Sequence, residues 1–276
     1  MKHIESEFKG VGGLKIYYQA WLPDKPKAVV QVVHGFAEHS GRYMHVVNAL
    51  IPLGYAVYAD DHRGHGKSEG IINFANSMDE FVEDEKKLYD IIKNRHKGLP
   101  IFMLGHSMGS GIAVSFVIKY ESLLSGLILS GSGKNYGNKG GALKFMAKLI
   151  SKIAPKMSAS SGLDANFLSH DPEEVKAYVE DPLVRYKKCT SKLAHIMFAA
   201  FSKMPETVKD FKLPLLFQRG SDDQAVTEAE EVISGFQMDD KTIIIYDDLY
   251  HEVYNELEKD RKKVLKDLSD WLEKHF

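Results

Sequence analysis

Cysteine is almost missing from this chain: its 276 residues include one, Cys189. A lone thiol excludes an intramolecular disulfide and fits a reducing compartment. Nothing flanking Cys189 marks it as a nucleophile, and it reads as a structural or surface thiol. No stretch approaches the roughly eighteen consecutive apolar residues that a membrane-spanning helix requires. The N-terminal Met1-Lys2-His3-Ile4-Glu5-Ser6-Glu7-Phe8 is charged and lacks the apolar run of a signal peptide. An excess of one charge is missing too: 36 Lys and Arg against 38 Asp and Glu leave a net charge of −2. Nucleic acid is therefore not an expected partner. Internal repeats and low-complexity tracts are absent, and no spacing among the histidines suggests a metal site. These absences point to a cytoplasmic globular protein with no metal or other cofactor.

What is present is enough chain for one large core. Strand-like and helix-like runs alternate along it. Residues 5–22 read as two strands around Val11-Gly12-Gly13; Ala28–His34 and Tyr55–Asp60 read as buried strands. A helix covers Phe81 to Ile92, and Gly126–Leu129, Leu213–Phe217 and Thr242–Tyr246 are further strands. Helices follow at Glu228–Phe236 and Leu257–Phe276, the last with a core stripe at Leu257, Val264, Leu265, Leu268, Trp271 and Leu272. Such alternation predicts an α/β fold with a mostly parallel, doubly wound sheet. Residues 134–205 break it, with helical periodicity and no convincing strand. An insertion there covers the carboxyl ends of the strands, where ligands bind in such sheets. The expected organisation is a core of residues 1–133 and 206–276 carrying a helical cap at 134–205.

The most informative stretch is Gly105-His106-Ser107-Met108-Gly109. The apolar run Leu99–Leu104 precedes it, and Ser110–Tyr120 follows with helical spacing. A serine pinned in a sharp strand-to-helix turn sits in strained backbone, and flanking glycines let strand and helix approach. An activated serine needs a base, and the base needs an orienting carboxylate. Gly220-Ser221-Asp222-Asp223 follows one late strand, and Asp247-Asp248-Leu249-Tyr250-His251-Glu252 follows the next. Carboxylate and histidine thus stand in the order Ser, Asp, His that this architecture uses. Taken alone, Asp222-Asp223 also reads as a turn or helix cap. The strand ending Val33-His34-Gly35 supplies a backbone N–H at Phe36, and Met108 supplies another, the two donors of an oxyanion hole.

With Val33–Tyr43 and Asp60–Gly70 added, the chain resembles the monoacylglycerol lipase and lysophospholipase branch of the α/β-hydrolases along nearly its whole length. The motifs are His-Gly-x-x-Glu-His-Ser-x-Arg-Tyr from His34, Asp-His-x-Gly-His-Gly-x-Ser-x-Gly from Asp61, Gly-His-Ser-Met-Gly, Gly-Ser-x-Asp and Tyr-His. The resemblance implies the α/β-hydrolase fold and a triad of Ser107, Asp223 and His251, Gly-Ser-x-Asp selecting Asp223 over Asp222. It implies hydrolysis of a single-chain lipid ester, monoacylglycerol first, with lysophospholipid or a short-chain ester as alternatives. An acyltransferase using the same triad, or a non-catalytic ligand-binding relative, is the alternative of another class. Ala37 stands where the family often has glycine. Tyr254 stands where mammalian members carry a second histidine that helps hold the glycerol. Glu38 and Arg42 match positions near the alcohol pocket, and an internal ion pair bracing the oxyanion loop describes them equally well. His62, His65 and His106 read as structural hydrogen-bonders.

The cap has two features of its own. Lys144, Lys148, Lys152 and Lys156 recur every four residues among Leu143, Met146, Leu149, Ile150 and Ile153. That is a basic amphipathic helix, suited either to an anionic lipid surface or to a lid with a solvated lysine face. Met197, Phe198, Phe201 and Met204 suit an acyl-chain lining, with Met197 and Phe201 as substrate-contact candidates, or an ordinary cap core.

Overall fold

The computed structural model describes residues 1–136 and 148–276. Its strands are β1 (Lys2–Lys9), β2 (Lys15–Leu22), β3 (Ala28–Val33), β4 (Tyr55–Asp60), β5 (Ile101–His106) and β6 (Gly126–Ser130). They continue with β7 (Asn135–Tyr136), β8 (Ser158–Ser160), β9 (Lys188–Thr190), β10 (Leu215–Gly220), β11 (Val226–Thr227) and β12 (Lys241–Tyr246). Eight of them form one sheet in the order β1-β2-β4-β3-β5-β6-β10-β12. Ladders from β4 onward are parallel, while β1 and β2 add an antiparallel edge.

Central strands are continuously buried because helices cover both faces, which is why they read as unbroken apolar runs. One face packs against the helices Met78–Arg95, Met108–Tyr120 and Ser191–Thr207, the other against Met44–Leu50 and Glu258–His275. From β3 the chain moves outward to β4, then crosses back to β5 on the other side of β3. The order therefore reverses between β3 and β5, which opens a crevice at their carboxyl ends. The loop carrying Gly35 and Phe36 leaves β3 there and the Ser107 turn leaves β5.

The region expected as a cap is helical at 148–153, Pro172–Glu180 and Ser191–Thr207. Asp171 accepts from Glu173 N before one helix, and Thr190 accepts from Leu193 N before the other. The last of these helices ends at Thr207, so the expected boundary at 205 falls inside its final turn. The expectation of no strand in this stretch is corrected: β8 pairs antiparallel with β9, and β7 pairs with β11 beside the Asp223 loop. Ser-Ala-Ser and Lys-Cys-Thr, three residues each, are too short to carry an alternating pattern. The lysine stripe is only partly helical, since the helix ends at residue 153 and Lys156 lies in the turn beyond it. Lys144 lies outside the described residues.

Candidate active site

Ser107 sits between β5 and the helix Met108–Tyr120 with φ 52° and ψ −121°, a conformation disfavoured for any residue with a Cβ. A Cβ on Gly109 would stand 2.0 Å from Val33 O, and one on Gly105 would stand 2.5 Å from Gly109 O. Only glycine fits at either position, so the turn holds serine at its apex. Met108 begins the helix, and its N–H is one of the donors that an α-helix leaves without an internal acceptor.

Asp223 satisfies both readings of its motif. Oδ1 accepts from Ala225 N (2.9 Å) and Val226 N (3.0 Å), capping the turn, while Oδ2 meets His251 Nδ1 at 2.8 Å. Asp223 and His251 are both buried; Asp222 is exposed and takes a bond from Ser221 Oγ. Burial opposes charge on Asp223, but the His251 ring and the turn N–H groups outweigh it and hold its pKa below the ordinary carboxylate value. Burial likewise opposes charge on His251, and Asp223 reverses it, raising the imidazole above its ordinary value. The His106 ring lies 4.8 Å from that of His251, and burial with this neighbour pushes His106 down to about 4.

Ser107 and His251 line one cavity with Gly35, Phe36, Glu38, His106, Ala225 and Glu252, while Leu163, Leu168 and Tyr178 form its outer wall. About 10 Å³ of it is open to a water-sized body, room for about one water.

Glu38 and Arg42 form the bracing ion pair. Glu38 Oε1 accepts from Gly35 N (2.6 Å) and from the Tyr43 hydroxyl (2.8 Å), and Oε2 takes Arg42 at 2.9 Å. Arg42 also binds Glu252 through two 2.7 Å bonds, tying the loop after β3 to the His251 loop. Sequence reading gave Glu252 no role; its one signal was its place beside His251. Tyr254 is not part of the described lining: its hydroxyl donates to Gln218 at 2.7 Å, inside the core. Met197 and Phe201 are likewise buried, packed with Leu193, Ile196 and Met204 on the inner side of their helix. His62, His65 and His106 are all buried in hydrogen-bonded positions. The fold also gathers Asp60, His62 and Glu85 around one point, which chain spacing had not indicated.

A family model described as serine aminopeptidase, S33, matches residues 24–258. The chain belongs to this family. Its fold is that of the α/β-hydrolases, and the family is one of serine hydrolases. The chain is 38% identical to a monoacylglycerol lipase of Mycolicibacterium smegmatis, over 99% of its own length and 98% of that protein. It is 30% identical to the human monoglyceride lipase, over 94% of its own length and 87% of the relative. The crystal structure of Paleococcus ferrophilus monoacylglycerol lipase superposes with a TM-score of 0.84 at 27% identity, covering all of both chains. Among the described residues, no helix is long and apolar enough to cross a membrane.

Proposed function

We propose that the protein is a carboxylic ester hydrolase that cleaves monoacylglycerol to fatty acid and glycerol. Ser107 Oγ attacks the acyl carbonyl while His251 Nε2 takes its proton. Asp223, bonded at Nδ1, fixes the tautomer that leaves Nε2 free to accept and steadies the imidazolium that results. The N–H groups of Phe36 and Met108 receive the negative charge that develops on the carbonyl oxygen. His251 then protonates the departing glycerol oxygen. In the second half, water adds to the acyl-enzyme, His251 takes its proton, and Ser107 leaves with that proton as fatty acid forms.

One observation carries the reading: a strained serine and a buried Asp223–His251 pair share one cavity at the strand-order reversal. Lipase relatives over nearly the full chain support the substrate class. Residues 134–205 act as the cap, with Leu163, Leu168 and Tyr178 closing the acyl end. Glu38 and Arg42 act by bracing the oxyanion loop. A panel of monoacylglycerols, lysophospholipids and p-nitrophenyl esters of graded length tests the assignment. Highest kcat/KM on a monoacylglycerol is expected; preference for a lysophospholipid reassigns the alcohol. Added alcohol captured as a new ester would identify an acyltransferase.

A second observation favours peripheral contact with an anionic lipid surface. Beside exposed Lys148, Lys152 and Lys156, Leu149 is 46%, Ile153 86% and Met157 48% exposed, so apolar and basic groups face solvent together. Each lysine near such a surface contributes about 1 kcal/mol. Conversion of the three lysines to glutamate should abolish co-sedimentation with anionic vesicles at low salt and leave hydrolysis of a soluble ester unchanged. Equal sedimentation of both proteins makes the stripe an ordinary solvated face.

A further inference from the structure

The peptide joining Gly35 to Phe36 has two ends that matter: its N–H is the oxyanion donor of the function proposed above, and its carbonyl is Gly35 O. That carbonyl lies 2.8 Å from Nδ1 of His34, a fully buried ring at the end of β3. The other ring nitrogen, His34 Nε2, lies 2.9 Å from the main-chain N of His62. A main-chain N–H can only donate, so Nε2 is the bare acceptor and the proton of neutral His34 sits on Nδ1, aimed at Gly35 O.

A second ring completes the arrangement. His62 stacks on His34 with centroids 3.7 Å apart, and its Nε2 lies 3.1 Å from His34 O. Its Nδ1 lies 3.2 Å from a Glu85 oxygen and 3.4 Å from an Asp60 oxygen. Both His62 nitrogens therefore face acceptors, which only the doubly protonated ring satisfies. Burial opposes that charge, but Asp60 first and Glu85 after it outweigh it and lift His62 to about 10, while burial beside Asp60 pushes Glu85 itself up to about 8. Burial and the His62 charge together hold His34 well below the ordinary histidine value, so it stays neutral.

We propose that His34 is a positioning residue of the oxyanion hole: its Nδ1–H holds and polarises the Gly35–Phe36 peptide, and His62 locks the tautomer that allows it. A hydrogen bond accepted at a peptide carbonyl fixes the plane of that peptide and strengthens donation from its N–H. The hydrogen bonds run from the His62 main-chain N–H through the His34 ring to Gly35 O. The His62 ring, set beside Asp60 and Glu85, bonds His34 O and stacks on the His34 ring. His34 itself touches no substrate.

The test compares His34→Asn, which keeps a donor at the position of Nδ1, with His34→Leu, which fills similar space without one. Steady-state kinetics on p-nitrophenyl butyrate and the affinity of an alkyl boronic acid, which forms a tetrahedral adduct on Ser107, are read for both. Loss of a whole oxyanion donor costs about 10²–10³ in kcat, so a misoriented one should cost about ten- to a hundredfold. His34→Leu should lose that factor in kcat and in boronate affinity with KM unchanged, and His34→Asn should recover most of it. Equal losses in the two variants, or a rise in KM with kcat intact, would overturn the proposal. Nitrogen-15 NMR of the histidine-labelled wild type decides even if His34→Leu fails to fold. Near pH 8 it should find His34 protonated on Nδ1 alone and His62 on both nitrogens; a His34 proton on Nε2 overturns it. Failure of the boronate to react at Ser107 would instead sink the underlying functional reading.

Discussion

Replacing Arg42 with leucine would take one cation from between two buried carboxylates. Arg42 reaches Glu252 through two 2.7 Å bonds and Glu38 through one of 2.9 Å, and its guanidinium lies 4.5 Å from the centroid of the Tyr178 ring. The side chains involved are 4–9% exposed, so water does little to replace the lost partner. Removing one member of a buried pair costs about 3–5 kcal/mol because the remaining charge stays desolvated. At about 2–4 °C per kcal/mol for a chain approaching this size, melting should fall by roughly 6–20 °C. Glu252→Gln in the Arg42→Leu background removes one stranded charge and should restore part of the loss. Activity should change in a second way. Arg42 holds Glu252 at about 2 and partly neutralises it beside His251. Without that cation, ionised Glu252 favours the imidazolium further, so the acid limb of the pH–rate profile should move to higher pH. Urea denaturation followed by circular dichroism reads the first effect, and kcat/KM against pH the second. A single variant within 1 kcal/mol of wild type, with an unmoved acid limb, would refute the reasoning.

Other expectations follow from the same geometry. Asp223→Asn should lower kcat by about 10⁴, the loss seen when a triad aspartate becomes an amide, while exposed Asp222→Asn should stay near wild type. In the wild type, kcat/KM should fall on the acid side with an apparent pKa above the ordinary histidine value, because Asp223 raises His251 and only its neutral form accepts a proton. A profile flat to pH 4 contradicts this. Gly109→Ala should give little folded, active protein, since its Cβ would stand 2.0 Å from Val33 O; wild-type yield and activity would refute the close approach. Ala37 adopts φ 62°, so Ala37→Gly should hold or raise stability by up to about 1 kcal/mol in thermal denaturation, and a clear loss contradicts the strain.

The sheet and the residues proposed as the triad are legible in the sequence because each leaves a local mark. The buried strands announced themselves as short apolar runs, and the elbow as glycines two residues either side of a serine. Order along the chain puts Asp222-Asp223 and His251 after late strands, and the resemblance of Gly-Ser-x-Asp to the family pattern is what selects Asp223. The cap was less legible, since β8 and β9 are three-residue ladders whose hydrogen bonds owe nothing to apolar alternation. Met197 and Phe201 fit a pocket by residue type and Tyr254 by its place in the family pattern, yet which side of an element faces the cavity is decided by packing. Glu252, the hydrogen bonds through His34 and His62, and the wall of Leu163, Leu168 and Tyr178 depend on contacts between residues distant in sequence. Such contacts leave no pattern to read.

The central claim is that Ser107 carries the acyl group of a monoacylglycerol. Mass spectrometry of the protein quenched in acid during turnover of 1-monooleoylglycerol tests it directly, with glycerol release followed in parallel for wild type and Ser107→Ala. The account predicts an oleoyl ester on the peptide containing Ser107 and no glycerol release by the variant. An acyl group on another residue, or glycerol released by Ser107→Ala at the wild-type rate, would contradict it.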